Sequence, residues 1–106
     1  MHLVYLATDI NPRATRCTYR TGIQNNVPLE PLLASLAAPL RPRLERRVDV
    51  LVFNPPYVPT YDDEMSGAQN DADIAGAWAG GPDGMRVTNV LLDQIDVSLL
   101  DRKSVV

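Results

Sequence analysis

Cysteine is nearly absent. Cys17 is the single cysteine in 106 residues, which excludes an intrachain disulfide and leaves no thiolate set for a zinc site. Histidine is as scarce, with His2 alone, and nothing in the sequence pairs with it as a ligand or base. An excess of positive charge is also lacking: 10 Lys and Arg stand against 13 Asp and Glu, for a net charge of -3. A duplex-DNA binder normally carries a basic footprint, so proteins and small molecules fit better as partners than nucleic acid does. No apolar run approaches the ~20 residues of a membrane-spanning helix. The opening Met1-His2-Leu3-Val4-Tyr5-Leu6-Ala7 meets Thr8-Asp9 without a basic n-region or a full h-region, so no signal peptide is expected. A cytoplasmic or nuclear protein with no metal site of its own is the expectation.

What is present is enough for one domain over residues 1–106. Apolar residues make up 45% of the chain, which is a globular composition, and a chain of this size buries about two-thirds of its unfolded surface. Its organising stretch is Val48-Asp49-Val50-Leu51-Val52-Phe53-Asn54-Pro55-Pro56-Tyr57. An apolar run without polar alternation predicts a strand buried on both faces, as in parallel sheets flanked by helices. Pro55 and Pro56 halt it and contribute no N–H groups, so the corner offers acceptors: the Asn54 side-chain oxygen and free backbone carbonyls. Tyr57 adds a flat aromatic face. Two acceptors beside an aromatic plate suit a planar amino group, such as a carboxamide or the exocyclic amine of a base. Such a nitrogen is a poor nucleophile, and accepting both its hydrogens stabilises the charge that grows on it during attack on an electrophilic carbon. Read blandly, Asn-Pro-Pro is a turn that closes a strand.

His2 to Ala7 predicts a second buried strand that delivers Thr8-Asp9 at its end. In open α/β sheets an acid there can accept from both hydroxyls of an adenosine ribose; as a turn or capping aspartate it would serve structure alone. Asn11-Pro12 predicts a helix start with Asn11 as N-cap. Ala14, Cys17, Thr18 and Thr21 would form a thin inward stripe with Cys17 as core filler, and Gly22 with Asn25-Asn26 would end the helix. Val27 to Leu33 reads as an edge strand, where proline is tolerated, while Leu32 to Ala38 reads equally as a helix start. Arg41, Arg43, Arg46 and Arg47 make a short basic cluster, most simply a solvated connection and alternatively a contact for nucleic acid or an acidic protein surface. A polar span from Pro59 to Asp73 predicts a substrate-holding loop. In Ala75 to Gly84, small residues around Trp78, the sole tryptophan, let backbone come close to something, with Trp78 lining a pocket or plugging the core. Asp83 is placed to cap a helix from Gly84 to about Leu100, carrying Val87, Val90, Leu91 and Ile95 on one side.

Three stretches together, Thr8-Asp9-Ile10-Asn11-Pro12, Leu51-Val52-Phe53-Asn54-Pro55-Pro56-Tyr57-Val58 and Ala77-Trp78-Ala79-Gly80-Gly81-Pro82-Asp83-Gly84, resemble the HemK-like release-factor glutamine methyltransferases of the eukaryotic and archaeal branch, in the family's order and at about its spacing. The resemblance implies an α/β, Rossmann-like class I methyltransferase domain that uses S-adenosyl-L-methionine. It implies Asp9 on the cofactor ribose and Ser35 near the adenine, where the family has an acidic residue. Asn54, Pro55, Pro56 and Tyr57 become the catalytic corner, with Asn54 also on the cofactor side. Asn54 and the Pro55 carbonyl would hold a glutamine amide, and Tyr57 and Trp78 would contact the substrate. The implied substrate is a peptide-chain release factor, and the implied partner a small zinc-binding activator subunit. The chain has no counterpart of the family's first strand and glycine-rich loop, nor of the late strands expected after Leu100, so the resemblance is to a middle section of the domain. Two other readings stand beside this one: amino methylation of nucleic acid or histone lysine, and an inactive remnant that at most binds a partner.

Overall fold

A computed structural model describes residues 2–61, 74–95 and 100–105. Two units are distinguished, Met1–Pro39 and Leu40–Val106. In the first, strand β1 (Tyr5–Asp9) runs parallel to strand β2 (Leu29–Leu33), with Tyr5 opposite Leu29 and Asp9 opposite Leu33. Parallel neighbours need a crossover, and helix α1 (Pro12–Gln24) provides it. The helix begins as its sequence predicts: the Asn11 side chain accepts a hydrogen bond from the Arg13 N–H at 2.8 Å, and Pro12 fills the first position, where no N–H is needed. Its end lies at Asn25, followed by Asn26 at φ 55, a left-handed residue of the kind that closes helices. Gly22 is not an end signal. It is a buried residue inside the helix, and a Cβ there would stand 2.8 Å from the Val27 carbonyl oxygen and 3.1 Å from the Leu29 side chain. This close approach packs α1 on β2.

The inward stripe of α1 is rotated from the expected one. Ala14, Thr15, Thr18 and Gly22 are the residues withdrawn from solvent, at spacings of one, three and four, whereas Cys17 and Thr21 are exposed. Cys17 is therefore a surface thiol and not core filler. Between the two readings of residues 27–38, the strand holds and the helix does not; only a single 3-10 turn, Ala38–Leu40, follows. Pro31 lies within β2, which among the described residues pairs only with β1, so its missing N–H can face the unpaired side.

In the second unit a one-turn helix, α2 (Arg41–Leu44), carries part of the arginine cluster and leads through Arg46 at φ 55 to strand β3 (Val48–Val50). Strand β4 (Leu100–Val105) pairs parallel to β3, with Val48 opposite Leu100, Val50 opposite Val105 and an irregularity between them. A strand after helix α3 (Arg86–Gln94) corrects the expectation that no late strand is present, and it shortens α3, expected to run to about Leu100. Within α3, Leu91 is buried, Val87 and Ile95 are partly covered, and Val90 is exposed. Among the described residues no helix is long and apolar enough to cross a membrane.

The architecture is thus mixed helix and strand with parallel pairing, but the strands are not buried on both faces. Within the strands Tyr5, Leu6, Leu33 and Val50 are exposed, and in the apolar runs that flank them Leu3 and Val4 before β1 and Val52 after β3 are open as well, Val4 at 73% and Val52 at 88%. The physical reason is local. Among the described residues each sheet has two strands, so each of these strands is paired on one side only, and one described helix, α1, packs against the sheet of the first unit, whereas double burial of a parallel sheet requires helices on both faces.

Candidate functional site

The Asn54-Pro55-Pro56-Tyr57 corner lies beyond the carboxyl end of β3, the end where ligands sit in open α/β sheets; the strand expected to run to Phe53 stops at Val50, so Leu51-Val52-Phe53 link it to the corner and the prolines do not themselves halt it. Beyond the prolines the chain resumes extended pairing, and its partner is the stretch that starts at Trp78. Val58 forms a parallel bridge with Ala79: the Val58 N–H donates to the Trp78 carbonyl at 2.9 Å and the Gly80 N–H donates to the Val58 carbonyl at 2.8 Å. Two residues on, the Thr60 N–H donates to the Gly81 carbonyl at 2.8 Å, and the Gly81 N–H donates to the Thr60 hydroxyl at 3.0 Å. Four hydrogen bonds over three residues on one side stitch the segment after the corner to Trp78–Gly81.

The glycines of that stretch explain how the backbones come so close. A Cβ on Gly80 would lie 2.9 Å from the Pro56 carbonyl oxygen and 2.8 Å from Gly84, and a Cβ on Gly84 would collide with the Tyr57 carbonyl oxygen. Gly81 and Gly84 also take positive φ angles, 83 and 73, which glycine adopts without strain. The turn between them is closed by the Gly84 N–H on the Gly81 carbonyl at 3.0 Å. Asp83 accepts from the Met85 N–H at 2.9 Å, and the Arg86 N–H donates to the Gly80 carbonyl at 3.1 Å as α3 begins. Asp83 thus serves the turn before the helix; Met85 is the N-cap and makes no side-chain cap bond. Ala79 is 1% exposed, and Gly80, Gly81 and Gly84 are buried, so this small-residue layer is well covered.

Around this layer the expected substrate-facing residues are open. Asn54 is exposed, Pro55 and Pro56 are partly covered, Tyr57 is 66% exposed and Trp78 is 47% exposed. The bridge sets Tyr57 and Trp78 on neighbouring stretches, each one residue before the paired positions. Trp78 neither plugs the core nor lines the open groove along α3, which is formed by Pro82, Asp83, Arg86, Asn89, Val90 and Asp93. Of the loop expected from Pro59 to Asp73, residues 62–73 lie outside the described residues.

Asp9 and Ser35 belong to the first unit. Asp9 closes β1 and Ser35 follows β2 by two residues, so the register brings both to the carboxyl end of the same parallel pair; the Ala34 N–H donates to the Asp9 carbonyl at 3.0 Å. Both side chains are exposed. Asp9 Oδ1 accepts from the Asn11 N–H at 2.8 Å, a turn-forming bond that uses one carboxylate oxygen.

Thr60 is the residue of this site that sequence reasoning passed over. Its neighbours in the sequence are those of a polar loop, and the signal that separates it, pairing with a residue 21 positions away, is not a local one.

No family model matches the chain. Individual proteins do. The chain is 45% identical over 84 residues to the proteins described as methyltransferase HEMK2 in Homo sapiens and in Mus musculus, a match that covers 79% of this chain and 37% of each relative. It is 57% identical over 53 residues to the eRF1 methyltransferase catalytic subunit mtq2 of Schizosaccharomyces pombe, covering 50% of this chain and 22% of that one. A release factor glutamine methyltransferase of Mycolicibacterium smegmatis shares 47% identity over 60 residues, 56% of this chain and 21% of that protein. The chain spans less than two-fifths of the length of these curated relatives. By sequence it is homologous to part of the HemK-like methyltransferases, the family that its three motifs resemble.

Proposed function

We propose that this chain carries the amide-holding half of a methyltransferase acting on the glutamine side chain of a peptide-chain release factor. The observation that carries the reading is the Asn54–Tyr57 corner, a few residues beyond the carboxyl end of a parallel strand and seated on the small-residue layer Ala79–Gly84. Asn54 Oδ1 and the Pro55 carbonyl are acceptors without competing donors from the prolines, so they suit the two N–H groups of a carboxamide. Tyr57 and Trp78, both open to solvent, supply apolar plates on either backbone stretch for the substrate's flat amide and its neighbours. Catalysis by such a corner consists of alignment and acceptor placement. No general base is needed, because the amide nitrogen can release its proton to solvent after its lone pair has been engaged.

S-adenosylmethionine supplies an electrophilic sulfonium methyl group when bound. The residues present fit its ribose and adenine half: Asp9 offers a carboxylate for the ribose hydroxyls, and Ser35, at the same end of the β1–β2 pair, offers a hydroxyl acceptor toward the base. They do not supply a cradle for the methionine half, since no glycine-rich turn closes any described strand; Gly81 and Gly84, the glycines with positive φ, are committed to the carbonyls of the corner and its own turn. A zinc-binding activator subunit is the partner that the family resemblance suggests.

Methyl transfer from labelled cofactor to a release factor bearing a Gly-Gly-Gln loop tests the reading, run with and without the activator subunit. Asn54→Ala should lower the rate by about 10²–10³-fold, the scale for loss of one preorganised polar contact to the reacting group. A folded wild-type chain inert under both conditions would overturn it.

One observation favours a second reading, a binding fragment without turnover. Large apolar side chains in and beside β1 and β3, among them Tyr5, Leu6 and Val50 with the flanking Val4 and Val52, are open to solvent, and an open strand edge is a template for pairing with another chain. That reading predicts partner-dependent association with no methyl transfer under any condition.

A further inference from the structure

Thr60 is the one buried polar side chain among the described residues, at 9% exposure. It is gripped twice by a single residue: its N–H donates to the Gly81 carbonyl and its hydroxyl accepts from the Gly81 N–H. Gly81 is itself buried and holds φ at 83. Without an oxygen at position 60 its N–H would be buried and unpaired, which costs more than a lost hydrogen bond. The β-branched side chain also restricts χ1, so the hydroxyl is held in place and not merely within reach. Gly81 in turn spans the two glycines that touch the corner. Gly80 lies against the Pro56 carbonyl and Gly84 against the Tyr57 carbonyl, and the Gly84 N–H is bonded to Gly81.

We propose that Thr60 is a positioning residue for the acceptor corner: its hydroxyl fixes Gly81, and through Gly81 it seats Gly80 and Gly84 against the carbonyls that follow Asn54 and Pro55. The catalytic consequence rests on the methyl-transfer reading above; the clamp does not. A Thr60 that only filled space would be replaceable by the isosteric valine. A positioning hydroxyl would be replaceable by serine and not by valine.

The full chain carrying Thr60→Val or Thr60→Ser is compared with wild type in two measurements. The first is amide hydrogen exchange at Gly81 and Val58, referred to Ile95, whose N–H is bonded to Leu91 in α3. Thr60→Val should speed exchange at Gly81 by roughly tenfold while Ile95 is unchanged, and Thr60→Ser should exchange as wild type does. The second is steady-state methyl transfer: Thr60→Val should lower kcat by roughly ten- to a hundredfold, with KM within about twofold, and Thr60→Ser should restore it. Wild-type exchange in the valine variant, or a serine variant as impaired as valine, overturns the proposal. So does full kcat in a valine variant whose Gly81 exchange has risen. A wild-type chain that transfers no methyl group overturns the methyl-transfer reading and the catalytic role with it, and the exchange comparison alone then decides the clamp. Should the valine variant not fold, serine decides, since it keeps the acceptor and must keep wild-type exchange.

Discussion

The strands of this molecule and the layer beneath its Asn-Pro-Pro-Tyr corner invert the usual relation between hydrophobicity and burial. Val4 and Val52 belong to apolar runs, yet they lie open, while Ala79, Gly80, Gly81 and Gly84 have little or no side chain and are buried. The difference lies in what each depends on. A strand side chain is covered only when other elements stack over its face, which here means one helix over a two-stranded pair in the first unit. The glycine layer is covered by its own neighbours in the chain and by one stretch some twenty residues away, through backbone bonds that need no further elements. A corner built that way can keep its local geometry even where the surrounding sheet is narrow.

The largest break in this comparison is expected from Gly84→Ala. The new Cβ meets the Tyr57 carbonyl, which is backbone and cannot swing aside, and φ at 73 is a left-handed conformation that alanine adopts only under strain. Strain and overpacking each cost about 1–3 kcal/mol, so a loss of about 3 kcal/mol is expected. Trp78, as the sole tryptophan and a donor-bound member of the clamp through its carbonyl, reports it: the fluorescence-detected urea midpoint should fall steeply. An unchanged midpoint would mean that the glycine layer is not what holds the corner.

A smaller effect is expected in the first unit. Gly22→Ala places a Cβ 2.8 Å from the Val27 carbonyl oxygen, an overpacking cost of about 1–3 kcal/mol, but alanine recovers up to about 1 kcal/mol of helix propensity in the last turn of α1. The balance is a destabilisation of about 1 kcal/mol, read from the helical circular dichroism. If the Trp78 signal moves with it, the two units unfold together and the comparison between them loses its force.

How much of this was legible in the sequence follows the same division. Features fixed by one or two adjacent residues came through: Asn11-Pro12 starts α1, and Pro31 sits in a strand paired on one side among the described residues. The end of β3 did not: the strand stops at Val50, before Leu51-Val52-Phe53, and the prolines are not what halts it. The run Ala75–Gly84 was legible as backbone that approaches something closely. What it approaches, the carbonyls of Pro56 and Tyr57, was not, because that pairing joins segments about twenty residues apart and no local pattern announces it. Burial of the strands was misjudged for the opposite reason: an apolar run states what a side chain prefers, and coverage depends on neighbours that the run does not encode. Strand β4 has no clear sequence signal because Leu100-Asp101-Arg102-Lys103-Ser104-Val105 is charged or polar at its four central positions and is apolar only at its two ends. The inward face of α1 was misplaced because its residues are small and hydroxylic, so the hydrophobic pattern was too weak to fix the rotation.

The smallest expected effect is also the sharpest test of the strand side of the comparison. Replacing a valine buried on both faces of a sheet by serine removes a transfer contribution of about 1.5–3 kcal/mol and leaves a hydroxyl to satisfy. Val52 is 88% exposed, so Val52→Ser should change stability by no more than about 0.5 kcal/mol, as surface substitutions do. The same urea titration reads it, with Trp78 as probe. A loss several times larger would mean that something covers Val52 in solution, such as a second copy of the chain or another protein laid along the strand, and concentration dependence of the midpoint would distinguish the first from the second. A null result would leave the corner as a locally braced structure on an otherwise open strand, with its order set by Thr60 and the glycines and not by the sheet.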